Sequence, residues 1–334
     1  MVKTSAAKTS AQAKLAVEEA VGEVETEGVP TAPGQVPDSQ APGHSVGGQG
    51  ATGFAGGSQG TTSDGAPGYG FPIQPMPSPG GAKVLAVTNQ KGGVGKTTTT
   101  VSLSACFAEM NLRTLIIDLD PQFNATTAVG VEARQLDTSI YNVLVSDIQI
   151  EDIIEPTAFK NLHVAPSGRN LANAEMGLMN MLSRERQLQQ AIHQVRSEYD
   201  VIMIDCPPAL GLLTVNAMTA ATGVVVPIQA EYLALEGVEQ LSHMIRQVRM
   251  SLNPVLELTA VIIGMYDART KLSREVAEDV RRHFGEKVCE GYVPRAVRLS
   301  EAPSHGQPIT VYDPDSRSTK VFRELAKEII DGAS

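Results

Sequence analysis

The sequence contains few of the residues that mark several common classes of protein. Only three cysteines, Cys106, Cys206 and Cys289, occur among 334 residues, and their spacing matches neither a CxxC motif nor a metal site. We therefore expect free, buried thiols in a reducing compartment. No run approaches the ~20 apolar residues that a membrane-spanning helix needs. The first residues also lack the apolar core of a secretion signal.

Positive charge is scarce as well. Lys and Arg number 27 against 37 Asp and Glu, which gives a formal net charge of −10. This balance argues against a surface coated for non-specific nucleic-acid binding, so any contact with DNA has to come from a local patch.

The first part of the chain lacks the apolar residues that build a core. Residues 29–81 are dominated by Gly, Pro, Ser, Ala, Gln and Thr, and such a segment cannot bury enough apolar surface to offset its ordering entropy. Residues 6–27 are rich in Ala and Glu. A helix that orders on a partner is an alternative there, but disorder is favoured because an isolated helix of this length is marginal in water. We therefore predict a disordered extension over residues 1–81 and a folded domain over residues 82–334.

From Lys83 onward, short apolar runs alternate with helical patterns. Most runs are continuously apolar, which is typical of central parallel strands covered on both faces. The predicted strands are 84–88, 114–118, 162–165, 201–205, 223–228 and 258–265. The predicted helices are 97–110, 172–181, 185–197, 212–221, 237–252, 273–284 and 318–330. The alternation predicts an α/β fold with a doubly wound, mostly parallel sheet, helices on both faces, and ligands beyond the carboxyl ends of the strands.

Residues 89–98, Asn-Gln-Lys-Gly-Gly-Val-Gly-Lys-Thr-Thr, directly follow the first predicted strand. A strand, a glycine loop and Lys-Thr at the start of a helix are the elements that hold a nucleoside triphosphate in P-loop proteins. The glycines let backbone N–H groups turn toward the phosphates, and the helix N-terminus adds partial positive charge. Lys96 would reach the β- and γ-phosphates, and the Thr97 hydroxyl would be a Mg²⁺ ligand. The predicted ATP-binding residues of the loop are Lys91, Gly92, Gly93, Val94, Gly95, Lys96, Thr97 and Thr98.

Two further predicted strands end in aspartates. Asp118-Leu-Asp-Pro-Gln closes one strand, and Asp205 closes another just before two prolines, in the Walker B arrangement. Acids at the carboxyl ends of parallel strands point into the same crevice as the P-loop. A carboxylate of the Asp118 and Asp120 pair could orient a water for attack on the γ-phosphate or hold Mg²⁺ through a water, although a solvated acid is the alternative. We expect Asp205 beside Mg²⁺ and Thr97, with Asp118 as a further metal candidate through water.

The P-loop departs from the general pattern G-x-x-x-x-G-K-[ST] because Gln90 stands at its first position, and Lys91 adds a second lysine. This loop resembles the deviant Walker A loop of the ParA/MinD superfamily. Taken together, four segments resemble the ParA/Soj-type chromosome partitioning ATPases of that superfamily: Val87–Thr98, Asp118–Asn124, Asp205–Asn216 and Pro294–Pro308. The resemblance covers residues 83–332.

That resemblance implies an enzyme that uses ATP and Mg²⁺. It further implies an ATP-dependent sandwich homodimer that binds double-stranded DNA without sequence preference. A ParB-like centromere-binding partner would stimulate hydrolysis and release the dimer, which drives segregation of the chromosome origin. The expected location is the cytoplasm, in association with the nucleoid.

Individual residues inherit roles from the same resemblance. Lys91 would act on the nucleotide of the other subunit, Lys96 would be the P-loop lysine, and Asp120 would be the carboxylate that activates water. Thr97 would ligate the metal, and Asp205 would hold it from the second shell of ligands.

The resemblance also assigns the adenine pocket to Pro294 and DNA binding to Arg269 and Arg298. Basic residues crowd the last third of the sequence, but acids are interleaved, so ion pairs on helix surfaces are an alternative explanation for many of them. Pooled over two subunits, the arginines would form a band that binds the DNA backbone with salt-sensitive affinity. Arg281 and Arg282, set among acids, are expected to matter less.

Several other hypotheses are less well supported by the sequence. A membrane-bound MinD-type ATPase would carry a basic amphipathic helix at its C-terminus, where this sequence has the acidic end Lys327–Ser334. An iron–sulfur reductase would need cysteines placed to share a cluster between subunits. A tyrosine autokinase would carry a tyrosine-rich tail, and a non-hydrolysing adaptor would not need the intact P-loop and its acids. A MinD-like or cargo-positioning ATPase that acts on a membrane or protein surface stays as the alternative.

Overall fold

A computed structural model describes residues 81–231 and 237–332 of the chain. Its strands form one sheet in the order β3-β4-β2-β5-β1-β6-β7. Neighbouring strands are parallel, except that the two-residue edge strand β3 runs antiparallel to β4. The strands are β1 Lys83–Val87, β2 Thr114–Asp118, β3 Glu155–Pro156, β4 Leu162–Ala165, β5 Val201–Asp205, β6 Gly223–Gln229 and β7 Glu257–Gly264. The extension predicted for residues 1–81 lies, apart from Gly81, outside the described residues.

Helices connect the strands and complete the C-terminal part of the fold. Their bounds are α1 Lys96–Glu109, α2 Asn124–Ala128, α3 Ile140–Val145, α4 Ala174–Leu178, α5 Gln187–Val195, α6 Leu212–Ala220, α7 Val238–Ser251, α8 Lys271–Phe284, α9 Val297–Glu301, α10 Ile309–Tyr312 and α11 Arg317–Asp331. No helix among these described residues is long and apolar enough to cross a membrane.

The sheet is covered by helices on both faces. Alternate residues of β5 enter different core clusters: Met203 packs with α1 and α11, whereas Ile204 packs with α3 and with α5 to α8. Phe107 of α1 and Phe322 of α11 are almost fully buried on the first face, and burial of each contributes about 1.5–3 kcal/mol. The predicted doubly wound, mostly parallel α/β fold is therefore confirmed.

The six predicted strands occur within one residue of their predicted ends, while the shorter elements were missed. Five elements were not predicted, and each is six residues long or shorter: β3, α2, α3, α9 and α10. The helix predicted over 172–181 was too long. It is replaced by a 3₁₀ turn at Arg169–Asn173 and the five-residue α4, which contains Gly177. A Cβ at Gly177 would lie 2.8 Å from Val145 Cγ1, so packing against α3 favours a glycine that weakens the helix.

Parallel pairing brings three strand ends together at the carboxyl edge of the sheet. Val87, the last residue of β1, pairs with Asp205 of β5, and Asp118 of β2 pairs with the same aspartate from the other side. The glycine loop that follows β1 is therefore placed next to both acid-bearing strand ends. The three cysteines are free and buried, as expected.

Candidate nucleotide-binding and hydrolysis site

The glycine loop between β1 and α1 turns through two left-handed residues. Gly93 has a φ of +74° and Gly95 a φ of +91°, values that only glycine adopts without strain. A Cβ placed at Gly92, Gly93 or Gly95 would meet no atom within 4 Å. Helix α1 begins at Lys96, immediately after Gly95. The loop thus leaves open space beside a helix N-terminus, which is where an anion such as a phosphate binds.

Asn89 fixes the start of this loop and was not among the predicted site residues. Its side-chain Nδ2 donates to the Pro227 carbonyl of β6 at 2.8 Å, and its Oδ1 accepts from the Lys91 N–H at 3.0 Å. The residue is buried. Its position two residues before Lys91, at the start of the loop, is a signal that could have identified it, because a turn-forming amide is common where a loop begins.

The two lysines of the loop have different environments. Lys96 is buried, and its Nζ lies 3.3 Å from the Lys91 carbonyl oxygen. Burial lowers the pKa of Lys96, while Asp205 and Asp120 act in the opposite direction and favour its charged form. Lys91 is only half-buried, and its ammonium has no carboxylate partner among the described residues. An ammonium carries three N–H donors, so both side chains retain donors for phosphate oxygens.

Asp205 is held by two hydroxyls from the first turns of α1. Thr97 Oγ1 donates to Asp205 Oδ2 at 2.7 Å, and Thr100 Oγ1 lies 3.0 Å from Asp205 Oδ1. Asp205 is fully buried, and burial followed by the charge of Asp118 raises its pKa. A buried carboxylate with hydroxyl oxygens beside it favours the binding of a cation, because a buried charge is costly unless it is paired or coordinates a metal.

These residues fit a magnesium ion that arrives with a nucleotide. Mg²⁺ is usually held by one or two protein oxygens together with substrate phosphates and waters, and Thr97 and Asp205 place such oxygens beside the loop. Within residues 81–231 and 237–332, no group of three or more His, Cys, Asp or Glu side chains could hold a metal by itself. A magnesium ion at Thr97 and Asp205 would complete its coordination with phosphate oxygens and waters.

Asp118 and Asp120 stand next to Asp205 but differ in the use of their oxygens. Asp118 Oδ1 accepts from the Asp120 N–H at 3.1 Å, and Asp118 Oδ2 accepts from the N–H and hydroxyl of Thr126 at 2.8 and 2.7 Å. Asp120 Oδ1 accepts from the Gln122 N–H at 2.9 Å. Asp120 Oδ2 has no hydrogen bond from the described residues and is available to a water. The role of Asp118 as a metal candidate through water stays a prediction.

A cavity of about 290 Å³ adjoins the glycine loop. A parallel bridge between Tyr266 and Pro294 brings the segment after β7 to this position. The predicted adenine-pocket residue Pro294 lines the cavity, which agrees in position with a nucleotide base attached to phosphates in the loop. The lining includes Val94, Gly95, Thr98, Pro227, Pro294 and Leu299.

The two arginines predicted to bind DNA are exposed and paired with nearby acids. The side chain of Arg269 is 89% exposed and donates from Nε and Nη2 to Asp267 at 2.9 and 2.8 Å. Its guanidinium lowers the pKa of Asp267 to about 2. Arg298 is 58% exposed, with Nε 3.8 Å from Asp313 Oδ2 and its guanidinium 5.5 Å from the Tyr312 ring centroid.

The neighbouring arginines of α8 also have local partners. Arg282 pairs with Asp279 at 2.9 Å on the helix surface, as expected. Arg281 instead packs over the ring of Tyr292 and donates to its hydroxyl at 2.8 Å and to the Cys289 carbonyl at 3.2 Å.

Comparison with known proteins gives a consistent result. The AAA domain family matches residues 82–258. The sporulation initiation inhibitor protein Soj of Bacillus subtilis (strain 168) is 50% identical over 247 residues, which cover 74% of this chain and 98% of that protein. The chromosome partitioning protein ParA of Myxococcus xanthus is 43% identical over 248 residues, covering 74% and 88% of the two chains.

A solved structure with bound nucleotide has the same architecture. Cobyrinic acid a,c-diamide synthase from Mycobacterium smegmatis, with bound ATP analog and magnesium, superposes with a TM-score of 0.67 at 35% sequence identity. The match covers 75% of this chain and 96% of that one.

Proposed function

This chain belongs to the Soj/ParA family of chromosome partitioning ATPases, and from that premise we propose that ATP joins two copies into a DNA-binding dimer. The protein is an ATPase that uses ATP and Mg²⁺. In the proposed cycle the ATP-bound dimer binds double-stranded DNA without sequence preference. A ParB-like protein then stimulates hydrolysis, which releases the dimer from DNA and drives segregation of the chromosome origin. The protein would accordingly work in the cytoplasm, on the nucleoid.

The proposal of a dimer rests on one observation, which is that the two lysines of the loop have different environments. Lys96 folds back over the loop, with its Nζ near the Lys91 carbonyl, and so supplies the lysine that each subunit needs for its own nucleotide. Lys91 lies at the start of the loop, directly before Gly92, and its ammonium has no acidic partner in the described part of the chain. We assign Lys91 to the phosphates of the nucleotide in the second subunit.

The arrangement of the acids supports hydrolysis by an activated water. The loop amides and Lys96 would hold the β- and γ-phosphates, and the base would lie in the cavity at Pro294. Asp120 Oδ2 would accept a hydrogen bond from a water and orient it in line with the γ-phosphorus, so that attack breaks the bond to the bridging oxygen and yields ADP and phosphate. Thr97 and Asp205 would hold magnesium, which would supply positive charge to the phosphate oxygens.

The exposed arginines support the DNA-binding step. Arg269 and Arg298 hold their acidic partners on the surface, where ion pairs are weak and screened by salt. Each arginine can therefore exchange its carboxylate for a DNA phosphate. Dimerisation would double the number of arginines that face one duplex.

The alternative of a membrane-acting, MinD-like ATPase is less well supported. The last described helix, α11, would be the element to lie on a membrane. Its apolar residues Phe322, Leu325 and Ile329 are buried against the core that includes α1, so they are not available to lipid. A ParA-like ATPase that positions a cargo other than the chromosome would use the same catalytic site.

Light scattering with ATP tests the assignment of Lys91. The Lys91→Ala variant should bind ATP but remain monomeric, because only the interaction between subunits is removed. The matched Lys96→Ala variant should lose nucleotide binding itself. ATP-dependent dimerisation of Lys91→Ala at the wild-type protein concentration would rule out the proposed role across the interface.

A further inference from the structure

Four buried residues from three chain segments form a closed ring of hydrogen bonds that includes the backbone of Asp120. Asp118 ends β2, Thr126 lies in α2, and Ser167 follows β4. All three are fully buried, and Asp120 itself is 8% exposed. Asp118, Asp120, Thr126 and Ser167 are called the polar ring below.

The ring closes through five hydrogen bonds of ordinary length. Thr126 donates from its N–H and its hydroxyl to Asp118 Oδ2 at 2.8 and 2.7 Å. The Ser167 N–H donates to Thr126 Oγ1 at 3.0 Å, and the Ser167 hydroxyl donates to the Asp120 carbonyl at 2.7 Å. The Asp120 N–H donates to Asp118 Oδ1 at 3.1 Å. The peptide groups on both sides of the Asp120 Cα are therefore anchored.

The turn from Asp120 to Phe123 needs contacts from other parts of the chain to hold it. Phe123, three residues after Asp120, adopts a φ of +46°, a left-handed conformation that costs a non-glycine residue energy and persists only when surrounding contacts hold it. The turn begins with the Phe123 N–H donating to the Asp120 carbonyl at 2.9 Å. Ser167 binds the same carbonyl from the segment that follows β4, so the position of the turn depends on a residue distant in sequence.

The ring also determines which oxygen of Asp120 remains available. Gln122 N–H occupies Asp120 Oδ1, and the backbone anchors limit how the side chain can leave its position. Asp120 Oδ2 is left without a hydrogen bond from the described residues, and the charge of Asp120 favours the charged form of Lys96.

We propose that Ser167 and Thr126 are positioning residues for ATP hydrolysis, which act by holding the Asp120 backbone so that Oδ2 meets the attacking water. This inference rests on the proposed role of Asp120. Neither residue contacts the glycine loop through any hydrogen bond in the described part of the chain, so both should affect the rate of hydrolysis and leave nucleotide binding unchanged.

The first test compares two serines whose hydroxyls make equivalent bonds. Ser167→Ala removes the 2.7 Å bond to Asp120, and the control Ser104→Ala removes a 2.7 Å bond to the Thr100 carbonyl from an equally buried position in α1. In the full-length protein we expect kcat of Ser167→Ala to fall about 10-fold or more with KM for Mg-ATP within about twofold. Ser104→Ala should keep kcat within about twofold, although both variants should lose about 2–4 °C in Tm. Equal kcat for the two variants would overturn the proposal.

A second pair keeps the test decisive if Ser167→Ala does not fold. Thr126→Val removes the hydroxyl from the ring at similar volume, and Thr126→Ser restores it. The control Thr114→Val removes a buried hydroxyl at the other end of β2, where Thr114 Oγ1 donates to the Leu112 carbonyl at 3.0 Å. We expect low kcat only in Thr126→Val. Failure of Thr126→Ser to recover kcat would contradict the positioning role.

A double substitution separates positioning from general loss of structure. In the Asp120→Ala background, single-turnover hydrolysis of ATP should already be slow by about 10²–10⁴-fold. Adding Ser167→Ala should change that rate less than twofold, because residues that act through one group are not additive. A full additional decrease would show that Ser167 acts elsewhere. If Asp120→Ala hydrolyses ATP at the wild-type rate, the role of Asp120 in the proposed function fails, and this inference fails with it.

Discussion

The nucleotide edge of the sheet, defined as the glycine loop with Asp118, Asp120 and Asp205, uses charge in the opposite way from residues 266–313. That second segment carries the exposed Arg269 and Arg298. At the nucleotide edge, Asp118 and Asp205 are fully buried and Lys96 is nearly so. The two aspartates there are held by groups from other elements, the hydroxyls of α1 on Asp205 and Thr126 of α2 on Asp118. In residues 266–313, the side chains of Arg269 and Arg298 are mostly exposed and their acidic partners come from the same segment.

This difference separates a preorganised site from an adaptable one. A buried charge is costly unless it is hydrogen-bonded, so the nucleotide edge tolerates little rearrangement and its geometry is fixed before substrate binds. An exposed ion pair contributes only ~0–1 kcal/mol and is weakened by salt. The arginines can therefore change partner at little cost, which is what binding to a DNA backbone of any sequence requires.

The largest expected effect comes from the buried lysine of the nucleotide edge. Lys96→Ala should raise the Kd for Mg-ATP about 100-fold or more, because it removes a charge-assisted hydrogen bond to phosphate in a buried site. Isothermal titration calorimetry measures this directly. Lys83→Ala is the matched control, since Lys83 lies at the opposite end of β1 and donates to the Ile329 carbonyl. Equally weakened ATP binding in both variants would show that general destabilisation, not the site, is responsible.

A smaller effect is expected when the exposed arginines are removed. Arg269→Ala or Arg298→Ala should reduce DNA affinity alike for unrelated duplexes and lower the salt slope by about 0.9 for each phosphate that is no longer neutralised. Fluorescence anisotropy at several salt concentrations, with ATP, measures both quantities. Arg282→Ala is the control, because it breaks a comparable surface pair with Asp279. A slope unchanged by either arginine would show that residues 266–313 do not bind DNA.

An increase in DNA affinity is expected when Arg269 is deprived of its acidic partner. Asp267→Asn should free the guanidinium and raise affinity about 2–5-fold, in keeping with the modest strength of exposed pairs. Since Arg269 lowers the pKa of Asp267 to about 2, the carboxylate stays charged across the neutral pH range, and changing pH there should not mimic the substitution. Weaker DNA binding by Asp267→Asn would mean that Asp267 holds Arg269 in its binding position.

The smallest response is expected when the native protein is treated with a thiol reagent. The reactivity of the buried cysteines tests whether both regions stay closed to solvent. Burial raises the pKa of Cys106 and Cys289 to about 12 and raises that of Cys206 as well. A thiol reagent near neutral pH should therefore label none of them in the native protein and all three after denaturation. Rapid labelling of Cys289 alone would show that residues 266–313 open while the nucleotide edge stays closed.

The elements predicted well are those whose signal lies in consecutive residues. β2, β4 and β5 have the predicted bounds because central parallel strands are continuously apolar. The glycine loop was identified for the same reason, since its residues are adjacent. The edge strand β3 is only two residues long and includes Pro156, which removes a backbone donor and is tolerated at an edge.

Residues that act through distant partners were not predictable in this way. Asn89 binds the Pro227 carbonyl and Ser167 binds the Asp120 carbonyl, over separations of 138 and 47 residues. Neither belongs to a pattern that marks its hydrogen bond. A lone serine after a strand is ordinarily a surface or turn residue, and only the packing of β4 beside β2 makes Ser167 a neighbour of the turn at Asp120.

The sequence by itself determined the fold class, the order of the strands along the chain and the chemistry of the nucleotide edge. These follow from local composition, since apolar runs form strands and Gly-Lys-Thr after a strand forms a phosphate loop. Tertiary structure alone decided how that chemistry is arranged. Parallel pairing places Asp118 and Asp205 side by side, hydroxyls of α1 and α2 contact their oxygens, and one oxygen of Asp120 is left without a hydrogen bond from the described residues. Such a choice depends on which buried donors reach which acceptors, and that is settled only when distant segments pack together.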